Sequence, residues 1–358
     1  MSSGKKSMPG NEPENFVVIR LGSLGDVVLT TGVLQAWHAR TGARFIFVTK
    51  KAFAPVLEKH PAIKEIITVP GKYLTTPGWL NFCRLLARRF RDLQLIDLHC
   101  SLRSRILRAM WPCRTFAYPK MALHRRMFGL TGMDLFGREL LKSNIPQRYF
   151  RALYPRPPAR DTLEPRIHLS SAEKAEARET LSRSGITLAS QHTPSRPLIA
   201  LHPYATHPAK AWPTDNWLAL ATLLEDRGMD WVIIGRENYS LLPDSSRDLT
   251  SRTDIRQTCA LLEHCCALVT GDSGPMHLAR AVHTPLVALF GPTTREWGFF
   301  PAAKNSLVLE SELPCRPCSL HGRLKNTCTA PCMHHITPSR VLDALNRISS
   351  GSRTLNTD

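Results

Sequence analysis

Five short segments of this 358-residue sequence combine residue types and spacings that can do chemistry. The first is Arg20-Leu21-Gly22-Ser23-Leu24-Gly25-Asp26, continuing into Val27-Val28-Leu29-Thr30-Thr31. An apolar run enters a glycine loop and leaves it as helix-compatible sequence. Gly22 and Gly25 carry no Cβ, so backbone there can come close to a ligand. The N-terminus of the following helix can hold an anion. The glycine spacing is not that of the dinucleotide fingerprint, and an acid stands at the helix start. Asp26 reads either as an ordinary helix cap or as a general base at the carboxyl end of a strand.

The second segment runs from His202 to Pro213 and places Lys210 in a loop just before a helix. A lysine ammonium is a mobile point charge suited to phosphate oxygens, and Thr206 can donate beside it. A plain surface lysine is the other reading. The third, Ile233-Ile234-Gly235-Arg236-Glu237-Asn238, sets Glu237 after a strand end, where a carboxylate can accept from ribose hydroxyls; an ordinary loop glutamate fits as well. The fourth, Val269 to Ala279, is the most specific. A buried strand delivers Gly271-Asp272-Ser273-Gly274-Pro275 onto a helix, so the N–H groups of Ser273 and Gly274 meet partial positive charge that favours phosphate. Asp272 organises that loop or a ribose, and His277, one turn in, is either near the ligand or a packing histidine. The fifth is Cys315, Cys318, Cys328 and Cys332, a spacing that suits a closed, structural zinc site. Free thiols or labile disulfides are the alternative.

Elements able to position these segments recur along the chain. Apolar, β-branched runs at Phe16 to Arg20, Arg44 to Thr49, Glu65 to Val69 and Leu93 to Leu98 alternate with helix-compatible sequence. The pattern restarts at Leu198 to His202, with a helix over Thr214 to Gly228, then Trp231 to Gly235, Ala267 to Gly271 and Pro285 to Gly291. Such alternation predicts α/β architecture with parallel sheets, in two doubly wound, Rossmann-like halves facing across a cleft. Ligands then bind at the carboxyl ends of the strands. We expect a disordered lead-in over 1–14, an N-terminal domain over 15–165, a linker with a helix near Ser171 to Ser184 over 166–196, a C-terminal domain over 197–348 and a disordered tail over 349–358.

Composition narrows the function classes. Lys and Arg number 47 against 29 Asp and Glu, a formal charge of +18, which predicts an anionic partner. The excess is dense between Arg84 and Arg126, opposed there by Asp92 and Asp97. It reads as a solvated face or as a surface for anionic membrane, anionic glycolipid or nucleic acid. No zinc-finger spacing, RNP-type motif or evident helix-turn-helix supports nucleic acid. No apolar run approaches the ~20 residues of a membrane span, and the first residues do not form a secretory signal. A reducing compartment then argues against structural disulfides among the ten cysteines. Cys83, Cys100, Cys113, Cys259, Cys265 and Cys266 sit among apolar residues and are expected to be buried, inert thiols.

With these segments in order, the chain resembles the ADP-heptose:lipopolysaccharide heptosyltransferases, a glycosyltransferase family 9 group with the GT-B fold. RLGSLGDVVLTTGVLQAW, KAWPTDNW, GDSGPMHLARAVHTPLVALFGPT and the cysteine-bearing tail carry the likeness. The resemblance implies inverting transfer of a heptose from an ADP-sugar to the lipopolysaccharide inner core. It puts Asp26 on the base, Lys210 on a donor phosphate and Glu237 on the nucleotide ribose. Asp272, Ser273 and Gly274 fall in the donor loop, with His277 near it. It implies no catalytic metal and a cytoplasmic protein, peripheral on the inner face of the inner membrane. The basic middle becomes the acceptor side. Relatives often have Pro-Gly where this chain has Pro203-Tyr204, which questions close donor approach there. Transfer of another nucleotide sugar, nucleotide-sugar epimerisation and, distantly, nucleic-acid binding are the rival readings.

Overall fold

A computed structural model describes residues 14–188, 196–316, 318 and 328–353. The first half contains β1 (Asn15–Ile19), α1 (Leu24–Thr41), β2 (Arg44–Lys50), β3 (Ile63–Val69), α2 (Thr76–Arg89), β4 (Gln94–Asp97), α3 (Leu102–Ala109) and β5 (Thr115–Ala117). The small helices α4 (Ala122–Thr131), α5 (Asp134–Leu141) and α6 (Ile145–Phe150) follow, then α7 (Ser171–Arg183). The second half contains β6 (Leu198–His202), α8 (Thr214–Asp226), β7 (Asp230–Ile233), α9 (Ile255–Glu263), β8 (Ala267–Gly271), α10 (Gly274–Ala281), β9 (Leu286–Phe290) and β10 (Ser306–Glu310). It closes with α11 (Pro331–His334) and α12 (Pro338–Arg353).

Each half is a five-stranded, wholly parallel sheet. The orders are β3-β2-β1-β4-β5 and β10-β9-β8-β6-β7. Strand order reverses beside β1 in the first sheet and between β6 and β8 in the second. A crevice opens at such a switch point, because the flanking crossovers lie on opposite faces of the sheet. The Asp26 loop leaves β1, and the His202 and Asp272 loops leave β6 and β8. Both sheets therefore aim their chemistry-bearing loops at switch points.

Helix α1 is buried almost all round, from Val27 and Val28 through Leu34 to Trp37. One side lies on its sheet, and the other meets α10 and α6. Consequently one apolar cluster runs from Phe16, Val28 and Leu34 to Leu278 and Ala279 across the junction. The linker helix α7 opens with a Ser170–Glu173 capping box. Arg256 of α9 pairs with Glu173 and donates to the carbonyls of Pro55 (3.0 Å) and His168 (2.7 Å), joining linker and both halves.

Two edge strands, β5 and β10, fall outside the expected runs. Their residues are only half-buried, so they lack the dense apolar signature of inner strands. The tail expectation also needs correction: α12 continues to Arg353. Residues 354–358 and 1–13 lie outside the described residues.

Candidate active site

Asp26 is the third residue of α1 and not its cap; Ser23 is the cap. Asp26 Oδ2 accepts from the Ser23 N–H (3.2 Å) and hydroxyl (3.0 Å), closing a capping box, and pairs with the Arg20 guanidinium. Oδ1 accepts from the Tyr149 hydroxyl at 2.8 Å. Burial pushes the carboxyl up. Arg20, then the Tyr149 and Ser23 hydrogen bonds, outweigh it and hold Asp26 below the usual carboxylate range. Arg20 is itself fixed at the end of β1 by donating to Leu98 O (2.5 Å). The helix start is thus self-capped, and what α1 presents there is a carboxylate paired with Arg20. The glycine loop is corrected too. The Gly22 Cβ position lies 2.7 Å from the Phe53 ring, and at Gly25 a Cβ overlaps the His277 ring. The Phe53 and His277 side chains fill both spaces.

The groups around Asp26 come from every neighbouring element. Tyr118 stacks edge-on to Tyr149 (4.9 Å), and Arg125 of α4 lies in the field of Asp26, Tyr118 and Tyr149. Past β4, burial and then Arg20 push His99 down to about 4, so it is neutral near pH 7. Asp26 is thus framed by Arg20, Arg125, His99 and two tyrosines. Of these, Arg20 stood in a motif singled out by sequence, and His99, Tyr118 and Arg125 fall in the basic stretch between Arg84 and Arg126. Tyr149 lies 123 residues from Asp26, and nothing local marks it.

The second half presents a contrasting edge. Lys210 Nζ donates to Asp272 Oδ2 at 2.5 Å, and Thr293 Oγ1 donates to the same oxygen at 2.9 Å. Lys210 and Asp272 are both largely buried, which holds the ammonium at the switch point. Ser273 caps α10 by backbone position alone; no side chain caps that helix. Its hydroxyl turns inward to Thr270 Oγ1 (2.9 Å) and His202 Nδ1 (3.3 Å). Burial pushes His202 down to about 4. The first-turn N–H groups of Ser273, Gly274 and Met276 have no intrahelical acceptor, so this end is open to an anion. Thr206 is exposed on the loop before Lys210. Glu237 is half-buried, and Ser251 pins its backbone through its N–H (3.2 Å) and carbonyl (2.8 Å). Tyr204 settles its own question. It is buried under the Gly235 turn, bonded to Thr250 Oγ1 at 2.5 Å, so its ring is part of the support and not of the surface.

The two edges touch. Leu24 of α1 packs against Gly274, whose Cβ position is 2.8 Å from Leu24 Cδ2, and Gly25 seats the His277 ring. His277 is buried between Asp272 and Asp26; burial lowers its pKa, and both acids partly oppose that.

The cysteine segment is described only at its two ends; residues 317 and 319–327 lie outside the described residues. Cys315 and Cys328 are exposed, Cys318 is half-buried and Cys332 is buried. The Cys318 thiol donates to the Cys315 carbonyl (3.1 Å). Among the described residues no group of three or more His, Cys, Asp or Glu is gathered as an ion site. What the segment does show is a clamp. Arg316 donates to Gly291 O (2.6 Å), Ser311 O (2.6 Å) and Thr293 O (3.1 Å), bracing the loop that holds Asp272. Cys332 closes on the same Gly291. Of the other thiols, Cys83, Cys259 and Cys265 are buried, Cys100 and Cys113 are half-buried, and Cys266 is exposed, because it turns outward just ahead of β8.

Against known proteins, the family model described as glycosyltransferase family 9 (heptosyltransferase) matches residues 147–329, just over half of the 358. The chain belongs to this family. It is similar to lipopolysaccharide heptosyltransferase 1 of Pseudomonas aeruginosa, 28% identical over 87% of each chain. It is also similar to lipooligosaccharide heptosyltransferase 2 of Haemophilus influenzae, 31% identical over 52% of this chain and 56% of that one. In structure it resembles Escherichia coli ADP-heptose LPS heptosyltransferase II, with a TM-score of 0.70, 23% identity, and coverage of 95% and 99%. The family 9 fold, with its two parallel-sheet domains, is therefore this chain's fold. The family match begins at 147, so Asp26 and the basic middle stand before it, and their roles rest on the geometry above.

Proposed function

We propose that this family 9 glycosyltransferase moves a heptose from ADP-heptose to the inner core of lipopolysaccharide with inversion. One observation carries the reading: a carboxylate from the first sheet and an open, lysine-flanked helix end from the second meet at α1 and α10. Among the described residues Asp26 Oδ1 accepts from Tyr149 alone, which leaves a second lone pair for the acceptor hydroxyl proton. The acceptor oxygen attacks the anomeric carbon opposite the ADP. The bond to the diphosphate oxygen breaks, and its electrons leave with the phosphate. Lys210 and the N–H groups of Ser273 and Gly274 stand where that charge develops, Glu237 takes the ribose, and Thr206 lies at the loop mouth. No catalytic metal is assigned.

Incubation with ADP-heptose or UDP-sugars and truncated lipopolysaccharides, read by product mass, tests this. A mass gain of one heptose from the ADP-sugar alone is expected. Transfer from UDP-sugars only, or change of the sugar without an acceptor, overturns it. The location belongs to the same proposal: a cytoplasmic enzyme, peripheral on an anionic membrane. No helix among the described residues is long and apolar enough to cross one. We also carry a structural zinc at Cys315, Cys318, Cys328 and Cys332 as a proposal from spacing. Elemental analysis of the purified chain finds one zinc per chain if it holds, and none if these are free thiols.

A further inference from the structure

Helices α4 and α5 form a hairpin with two different faces. On the inner face Phe128 and Leu140 pack with Trp297 of the second half, and the half-buried Arg125 lies in the field of Asp26. On the outer face Leu123, Arg126, Met127 and Leu130 follow the spacing i, i+3, i+4, i+7, which is one stripe of a helix. Leu123 and Leu130 are 69% and 72% exposed, and Met133 and Leu135, at the turn into α5, are 51% and 65% exposed. Four of the eight large apolar side chains exposed among the described residues therefore fall between 123 and 135. Scattered single leucines need no explanation; a contiguous set does.

The charges around this patch are positive. Lys120 and Arg126 are exposed beside it. Lys120 Nζ donates to Cys100 O at 3.4 Å, which brings the start of α3, with exposed Leu102 and Arg105, alongside. The acids of α5, Asp134 and Glu139, are paired with Arg138 and Lys142. A second copy of this chain would set two such basic belts face to face and be repelled. A sheet of anionic headgroups over acyl chains complements both the charge and the protruding leucines.

We propose that the α4–α5 hairpin is the element by which this enzyme enters an anionic bilayer surface. Leu123, Leu130, Met133 and Leu135 reach the headgroup–acyl boundary, and Lys120 and Arg126 lie on lipid phosphates. The assignment rests on the transferase reading in one respect: a lipid-anchored acceptor then meets Asp26 through the inner face of the element that holds the membrane.

The test is flotation of the full chain with vesicles of phosphatidylcholine mixed with phosphatidylglycerol, and of phosphatidylcholine alone. The wild type floats with the mixed vesicles, less so as salt rises. The triple variant Leu123→Ser, Leu130→Ser, Leu135→Ser loses ~tenfold or more of that partition, keeps its melting temperature, and keeps its turnover on a deacylated, water-soluble core acceptor. Flotation of the triple variant equal to wild type overturns the proposal. So does a wild-type dimer that the triple variant splits while its flotation stays intact. Should the triple variant not fold, Leu130→Trp with bromine-labelled lipids decides: added fluorescence quenched on mixed vesicles supports insertion, and unquenched emission overturns it. If the wild type modifies no soluble acceptor, the transferase reading falls while the flotation result stands.

Discussion

Helices α1 and α10 start in the same place, just past the carboxyl end of a strand at a switch point, yet their N-termini are opposites. At α1 the cap is closed. Ser23 and Asp26 satisfy each other, and Arg20 and Tyr149 hold the carboxylate ionised. At α10 the cap is open. Ser273 turns its hydroxyl back to His202 and Thr270, leaving the first N–H groups unclaimed and Lys210 beside them. The lesson is that a helix N-terminus at a switch point is closed or left open according to which way one short side chain points. A carboxylate on the first turn fills the end with its own charge; a serine turned inward leaves it for the ligand.

The comparison can be broken most severely at the closed end. Asp26→Asn keeps an acceptor oxygen and removes the base, so turnover should fall by about 10²–10⁴-fold while ADP affinity stays near wild type. Arg20 also loses its ionised partner, and the variant should melt lower. Near-normal turnover, read from product formation, would remove Asp26 from the chemistry. At the open end, Lys210→Ala should weaken ADP binding by roughly 10–100-fold, the worth of a charge-assisted hydrogen bond. Calorimetry showing equal affinity would place the ammonium elsewhere. The smallest and most discriminating change is Tyr149→Phe. Its hydroxyl hydrogen bond favours ionised Asp26. Without that bond the Asp26 pKa rises, and the acidic limb of the kcat/KM profile moves to higher pH, with activity lost sooner as pH falls. Groups facing Asp26 besides Tyr149 are Arg20, Ser23, His99, Tyr118, Arg125 and His277. An unmoved limb would reduce Tyr149 to a packing residue.

Much of this was legible in the sequence where the signal is local. β6 and β8 fall on the expected runs Leu198 to His202 and Ala267 to Gly271, because inner strands of a parallel sheet are apolar on both faces. The loops bearing Asp26, Lys210, Glu237 and Asp272 follow the ends of β1, β6, β7 and β8. The glycines misled, since a missing Cβ says only that something comes close. At Gly25 that something is His277, on the other domain. The cysteine spacing suggests a metal cage, and beside it the structure adds what spacing could not show, an Arg316 clamp on the loop that holds Asp272.

The amino-acid order alone determined two parallel sheets, the strand-loop-helix units and the residue types offered at each strand end, because hydrophobic period and loop chemistry act over a few residues. The tertiary structure alone decided that Tyr149 and Arg20 close on Asp26, that Ser273 turns away from its own helix, and that the leucines of α4 face outward. Each of those outcomes depends on which distant side chain arrives to take or leave a hydrogen bond or an apolar contact, and that is settled only when the chain packs.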